Sequence, residues 1–219
     1  MTITLDMPAE NRAKRLKAVT HTTHDRLDKA IMAGEPFASL ARYALFLKVQ
    51  HGFHREIDAL YFDPALDRLL PDLSGRRRVG LIEQDLADLG AEMSVAKGEP
   101  AFAPGAPADI PDALGWLYVA EGSNLGAAFL LKAAAGLGLS ECFGARHLAA
   151  APEGRGLHWR TFTAALDALD LSEAEEAQVA AGAQAAFARV QALVADTFGL
   201  RGPSCPTAPE GQEARCKAA

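Results

Sequence analysis

Apolar side chains recur at three- and four-residue spacing along nearly the whole chain, and runs alternating apolar with polar residues are scarce. That pattern predicts an all-α protein. Leu16, Val19, Thr23, Leu27 and Ile31 trace one face of a helix over residues 10–33, which Gly34-Glu-Pro36 stops. Residues 38–61 read as a second helix with Leu40, Tyr43, Leu47 and Phe53 turned inward. Asp63-Pro64 opens a short helix that closes before Pro71, and another runs over residues 75–90. Pro100, Pro104 and Pro107, with Gly98 and Gly105, mark an exposed loop. Asp109 and Pro111 then suit the cap and first turn of a long helix over residues 112–138. A further helix covers residues 157–169, and Ser172 with Glu175 forms a capping box for the last one, which ends near Gly199. From Leu200 onward Gly, Pro, Ser and polar residues dominate, the composition of a disordered tail. The expected architecture is one domain of seven or eight helices over residues 1–199, followed by a tail over 200–219.

Composition narrows the function. With 49% hydrophobic residues the chain can bury a sizeable core, while 22 basic against 28 acidic side chains give a net charge of −6. That balance argues against nucleic acid as the main partner, since phosphate binding needs a basic surface. The apolar run from Gly126 to Gly138 is interrupted by Lys132 and falls short of the roughly 20 residues a spanning helix requires. Met1-Thr-Ile-Thr-Leu-Asp6 lacks a basic stretch followed by an apolar one, and three cysteines, two of them Cys205 and Cys216, make no disulfide framework. A cytoplasmic monomer without a membrane span is the expectation.

Two features could carry chemistry. His24 lies in Thr22-Thr23-His24-Asp25-Arg26-Leu27-Asp28, with Asp28 four residues on and therefore on the same helix face. A carboxylate there can accept the Nδ1 proton and leave Nε2 as a metal ligand. Lys17 lies two turns earlier on that face, where an ammonium could meet an acidic group of a ligand. A surface histidine in a salt-bridged helix is the plain alternative, and on its own it is the stronger one. The second feature is Glu121-Gly-Ser-Asn-Leu-Gly126-Ala-Ala-Phe129. Each mid-helix glycine costs about 1 kcal/mol relative to alanine. Two at four-residue spacing leave a bare backbone stripe that admits something flat, or else another small-residue helix face.

Taken together, an available imidazole and a glycine-interrupted helix make two walls for a planar metal macrocycle. Here the chain resembles the bacterial haem oxygenases. The resemblance rests on Thr23-His24-Asp-Arg-Leu-Asp28, Asp85-Leu-Ala-Asp-Leu-Gly90, Leu114-Gly-Trp-Leu-Tyr118-Val-Ala-Glu-Gly122-Ser-Asn-Leu-Gly126-Ala-Ala-Phe129 and Gly138-Leu-Ser-Glu-Cys-Phe-Gly-Ala-Arg-His147-Leu148, and covers about residues 10–199. It implies that His24 is the proximal ligand of haem iron with Asp28 behind it, and that Gly122 and Gly126 let the distal helix lie over the iron, leaving a position for O₂. Haem is then both substrate and cofactor, and it is opened to biliverdin, iron and carbon monoxide. By the same resemblance Arg78 and His147 anchor distal water for proton delivery, with Arg76 and Arg77 close enough to confuse the registration. Lys17 and Tyr118 grip the haem propionates. Some relatives lack this lysine–tyrosine pair and seat haem rotated, so its presence implies the IXα isomer. Ser123 follows the first glycine, where eukaryotic relatives carry an aspartate, so proton relay must use other groups.

No Gly-x-Gly-x-x-Gly follows a strand, so an external electron donor is implied, a ferredoxin or a reductase. The product's destination is either iron nutrition or a phytochrome-type biliverdin acceptor. Three other readings use some of the same residues. A haem carrier or sensor would share His24 and the slot. A thiaminase-type enzyme on the same helical plan would need a cysteine, and Cys142, within the predicted domain, reads as a packing residue. A metal-binding bundle would have to use His51 and His54, but the chain has no Glu-x-x-His pairs and both histidines read as ordinary polar positions. Cys205-Pro206 in the tail resembles haem-responsive segments only at two residues.

Overall fold

The computed structural model of the protein describes residues 11–93 and 98–199. Among them seven α-helices and three short 3-10 segments carry the chain, with no strand beyond isolated bridges at Ser140. The tail over residues 200–219, Cys205-Pro206 included, lies outside the described residues.

Local chemistry sets the helix starts. α1 (Arg12–Ala33) begins after Asn11, whose side chain accepts the Lys14 N–H at 3.0 Å. α2 (Leu40–Ile57) begins after Ser39 and tightens into a 3-10 turn over Asp58–Phe62, so the element expected over 38–61 is two. α3 (Pro64–Leu69) is capped by Asp63, which accepts from the N–H groups of Ala65 and Leu66. The helix expected over 75–90 is shorter. A 3-10 turn at Ser74–Arg76 and an extended Arg77 precede α4 (Val79–Asp88). The three arginines explain the break, because each goes to a different place. Arg76 reaches Pro71 O and Glu121, Arg77 reaches Asp58, and Arg78 reaches the His147 carbonyl. A helix would hold them about 100° apart on one cylinder. α5 (Ile110–Ala135) takes Asp109 as its cap, and a 3-10 turn at Arg146–Leu148 leads towards α6 (Arg155–Asp167). α7 (Glu173–Phe198) opens on the Ser172–Glu175 capping box and ends at Gly199, whose φ of 67° suits glycine.

α7 is the hub on which α1, α2 and α5 pack. α1 runs parallel to it, with Arg12 on Glu176 at one end and Gly34 against Phe198 at the other. α2 runs antiparallel, with Glu56 on Arg189, Gly52 at Leu193 and Arg42 over Phe198. The first turns of α5 are apolar on every side, and Ala113 to Ala120 are all buried. α5 meets α7 at two glycines the sequence reading had not singled out. A Cβ on Gly115 would sit against the Val179 carbonyl and 2.5 Å from the Ala183 nitrogen, and one on Gly182 would strike the backbone of Asp112.

Several side chains lie where periodicity did not put them. Val19 (50% exposed) points to solvent, because the buried face of α1 instead runs through Leu16, Thr20 and Leu27, and Leu40, the first residue of α2, is exposed as well. His51 and His54 are buried, the opposite of ordinary polar positions, since α2 is covered on both sides by α4 and α7. Cys142 is exposed in the turn after α5 and packs no core.

Candidate functional site

α1 and α5 both rest on α7 and α6 but barely touch each other. They approach where the Tyr118 hydroxyl donates to the Ala13 carbonyl at 3.4 Å. Trp116 stacks on Phe53 of α2, and further along α5 Asn124 is tied through Arg155 to Leu148, next to His147, whose ring neighbours Phe46. α5 is therefore antiparallel to α2 and shares the direction of α1. From the Ala13–Tyr118 link, α1 presents Lys17 one turn on and His24 about 16 Å along, at positions four and eleven residues later on one face. α5 presents Gly122 and Gly126 one and two turns on. The space between the two helices is a slot.

The His24 imidazole stands at its rim with 57% of the side chain exposed. Nδ1 lies 3.3 Å from Asp28 Oδ2 and 3.9 Å from Asp25 Oδ1, and the ring meets Phe187 of α7 edge-on at 5.9 Å. With Nδ1 turned to the carboxylates, Nε2 faces away and takes no partner among the described residues, the state a metal ligand needs. Lys17 is exposed. Burial pushes the Tyr118 phenol up to about 12, so it stays a neutral donor.

On α5 the two glycines differ. A Cβ at Gly126 would meet nothing within 4 Å, whereas one at Gly122 would lie 3.6 Å from Trp159 Cη2. The bare stripe is thus open at Gly126 and shared with an indole at Gly122. Helical hydrogen bonding continues through both. Phe129, 80% exposed, and Leu125 continue the open side as an apolar wall. Ser123 turns its hydroxyl back to the Ala120 carbonyl at 2.7 Å, a bond within its own helix.

Behind the glycines lies a buried polar group. Arg78 donates from Nη1 to the His147 carbonyl at 2.6 Å. His147 Nδ1 sits 2.8 Å from Asp85, which also accepts the His147 and Arg146 N–H groups. Burial alone would raise the Asp85 carboxyl, but the bonds from His147 and Arg146 outweigh it and hold the group below the usual range. Burial depresses His147, and it pushes His54 down to about 3 with help from Arg78, His147 and His51, so His54 stays neutral. Arg78 Nε, His147 Nε2, His54 Nδ1, Tyr61 Oη and Asn124 Nδ2 are all buried without a hydrogen-bond partner. Unpaired buried polar atoms call for ordered water.

One consequence concerns acid. Asp85 has a lowered folded-state pKa, so its stabilisation is complete above about pH 4 and fades as pH falls through the folded value. Asp85→Asn is expected to cost about 2–3 kcal/mol in urea unfolding at pH 7, a difference that shrinks steadily below pH 4. A gap independent of pH would contradict this assignment.

The structure thus brings Arg78 to His147, Tyr118 to the Lys17 turn, and Asp28 to His24. It does not aim Ser123 into the slot. Sequence reasoning missed Asp85, His54, Tyr61 and Asn124 as parts of the polar group and Trp159 as part of the wall. Asp85 and His147 are 62 residues apart, so no local spacing could have paired them. The donor set suits haem. An imidazole with a free Nε2 on one helix, an open glycine beside apolar side chains on the other, and unpaired polar atoms behind are of the chemistry that could hold an iron, a flat ring and ordered water.

Comparisons with known proteins show the family. The sequence model of the Heme oxygenase family matches residues 10–196. Heme oxygenase PigA of Pseudomonas aeruginosa is 44% identical over 187 residues, covering 85% of this chain and 93% of that protein. The crystal structure of NO- and CO-bound heme oxygenase from Neisseria meningitidis superposes with a TM-score of 0.82 at 44% identity, over 93% of this chain and 99% of that one. This chain belongs to the haem oxygenase family, the enzymes that open haem to biliverdin.

Proposed function

We propose that haem lies in the slot with iron on His24 Nε2 and its other face under the Gly126 segment of α5. One observation carries this. Two helices that share the α7 platform but barely touch each other carry, among the described residues, an imidazole whose Nε2 has no partner on one wall and a glycine with open space on the other. Bound there, haem supplies the iron that activates O₂, and its own ring is attacked. The protein's share is placement. Asp28 holds the His24 tautomer. Arg78 and His147, with their unpaired nitrogens, hold water for proton delivery. Lys17 and the neutral Tyr118 hydroxyl meet the propionates. Their presence at the Ala13 end supports the IXα isomer. Electrons come from an external ferredoxin or reductase. The protein acts as a cytoplasmic monomer, for iron acquisition or for supplying a phytochrome-type acceptor with biliverdin. No described helix is long and apolar enough to cross a membrane.

The test is hemin with ascorbate in air. The Soret band should bleach and verdin absorption rise, with IXα the main extracted pigment. A stable Soret band would favour a carrier, and a mainly β or δ pigment would overturn the propionate assignment.

Gly126→Ala separates the slot from the fold. Nothing beyond the adjoining backbone of its own helix lies within 4 Å of the added methyl and alanine favours the helix by about 1 kcal/mol, so the apo protein should melt at the same temperature or higher. Haem turnover should fall roughly tenfold, about 1.4 kcal/mol of barrier, because the methyl stands where the ligand must lie. Unchanged turnover would place haem elsewhere.

A further inference from the structure

Trp159 of α6 touches three things at one corner of the slot. The outer ring of its indole, through Cη2 and Cζ3, lies 3.6–3.7 Å from where a Gly122 side chain would begin. Its ring is 5.6 Å from the Tyr118 ring and stacks at 5.9 Å on the fully buried Phe162. The preceding residue, His158, lies beside the residue preceding Gly122. His158 Nε2 lies 3.3 Å from Glu121 and Nδ1 2.7 Å from Glu153, and Glu121 also binds Arg76 at 2.8 Å with both side chains 2% exposed. Two successive residues of α6 therefore lock onto two successive residues of α5. An ion pair so completely buried gains little net stability over apolar packing, because desolvation offsets the attraction. Where such a pair is kept, fixing one geometry is its best-attested use.

We propose that Trp159 is a positioning residue for haem. Its outer ring closes the bare stripe at Gly122, and the Arg76–Glu121–His158 clamp holds it there, so the edge of a macrocycle centred at Gly126 is stopped beside Gly122. The stop sits beside Tyr118, and the two together fix the in-plane rotation of the ring. Without the stop, the flat ligand can slide or turn at that corner while still held by His24. The inference rests on the haem seat proposed above.

Trp159→Phe is the discriminating variant, since phenylalanine keeps the stack on Phe162 but lacks the outer ring that reaches Gly122. The seating is read directly from the haem methyl resonances of the ferric cyanide complex, alongside the pigment isomers. The native chain should give one dominant set of methyl signals. Trp159→Phe should give two comparable sets and a mixed pigment, at near-native melting temperature and with a histidine-ligated haem spectrum. A double variant, Arg76→Met with Glu121→Leu, exchanges the buried pair for apolar volume and should give the same second set, since the clamp is gone. One unchanged set of methyl signals in Trp159→Phe overturns this proposal while leaving the seat intact. A native chain that shows no histidine-ligated haem sinks the seat and this inference together.

Discussion

His24→Ala should lose haem cleavage by at least about a hundredfold, about 2.7 kcal/mol of barrier, with the apo fold unharmed. The two halves of that expectation come from the same geometry. More than half of the His24 side chain is exposed, and its contacts are two surface carboxylates and one edge-on contact with Phe187. Truncating it leaves no buried polar group unpaired and little cavity, so apo melting should move by no more than a degree or two. The loss falls on the ligand instead. The imidazole is the candidate nitrogen on the α1 wall of the slot, and on the proposed seating its removal would deprive the iron of its protein bond and the ring of its fixed height. Asp28→Asn should act in the same direction but more weakly, by roughly ten- to a hundredfold, since it disturbs only the orientation of the imidazole. Free imidazole should restore part of the His24→Ala activity by entering the vacated position. Full activity in His24→Ala would remove the proximal assignment. A collapse of apo stability would show that the residue is structural.

The largest effect on stability is expected at Gly115, a residue remote from any chemistry. Gly115→Ala should destabilise the protein by about 3 kcal/mol, lowering the melting temperature by roughly 6–12 °C for a chain of this size. The added carbon would overlap the Val179 carbonyl and approach Ala183 N to 2.5 Å, and both are backbone atoms that cannot rotate away. α5 and α7 would have to separate, and their contact is the most extensive between any two described helices. Gly182→Ala should behave alike, because its Cβ meets the Asp112 backbone. The contrast with Gly126→Ala is the point of the experiment. All three substitutions improve helix propensity equally, so opposite outcomes can come only from what lies opposite each glycine. Native-like melting in Gly115→Ala would mean that the helices tolerate more separation than their packing suggests.

Much of this was legible in the residues. The three- and four-residue apolar period, the Asp109 and Ser172 caps and the glycine stops placed most helices to within a few positions, because caps and periodicity are local. The boundaries that failed did so for non-local reasons. The 75–90 element broke because Arg76, Arg77 and Arg78 are drawn to partners on different parts of the chain. Val19 proved exposed because the face of α1 that α7 covers lies on another side of the helix.

The candidate site divides in the same way. His24 with Asp28 is an i, i+4 pair, and the sequence determined that relation as soon as the segment was helical. The spacing of Gly122 and Gly126 likewise follows from the helix. Only the tertiary structure decided that Gly126 is open while Gly122 is covered by Trp159, that Gly115 and Gly182 are the glycines on which helix packing depends, and that Asp85 holds His147 across 62 residues. The physical reason is range. Backbone propensity and capping act over a turn or two of one helix, whereas steric contact and the pairing of buried charges depend on which distant segments the core brings together.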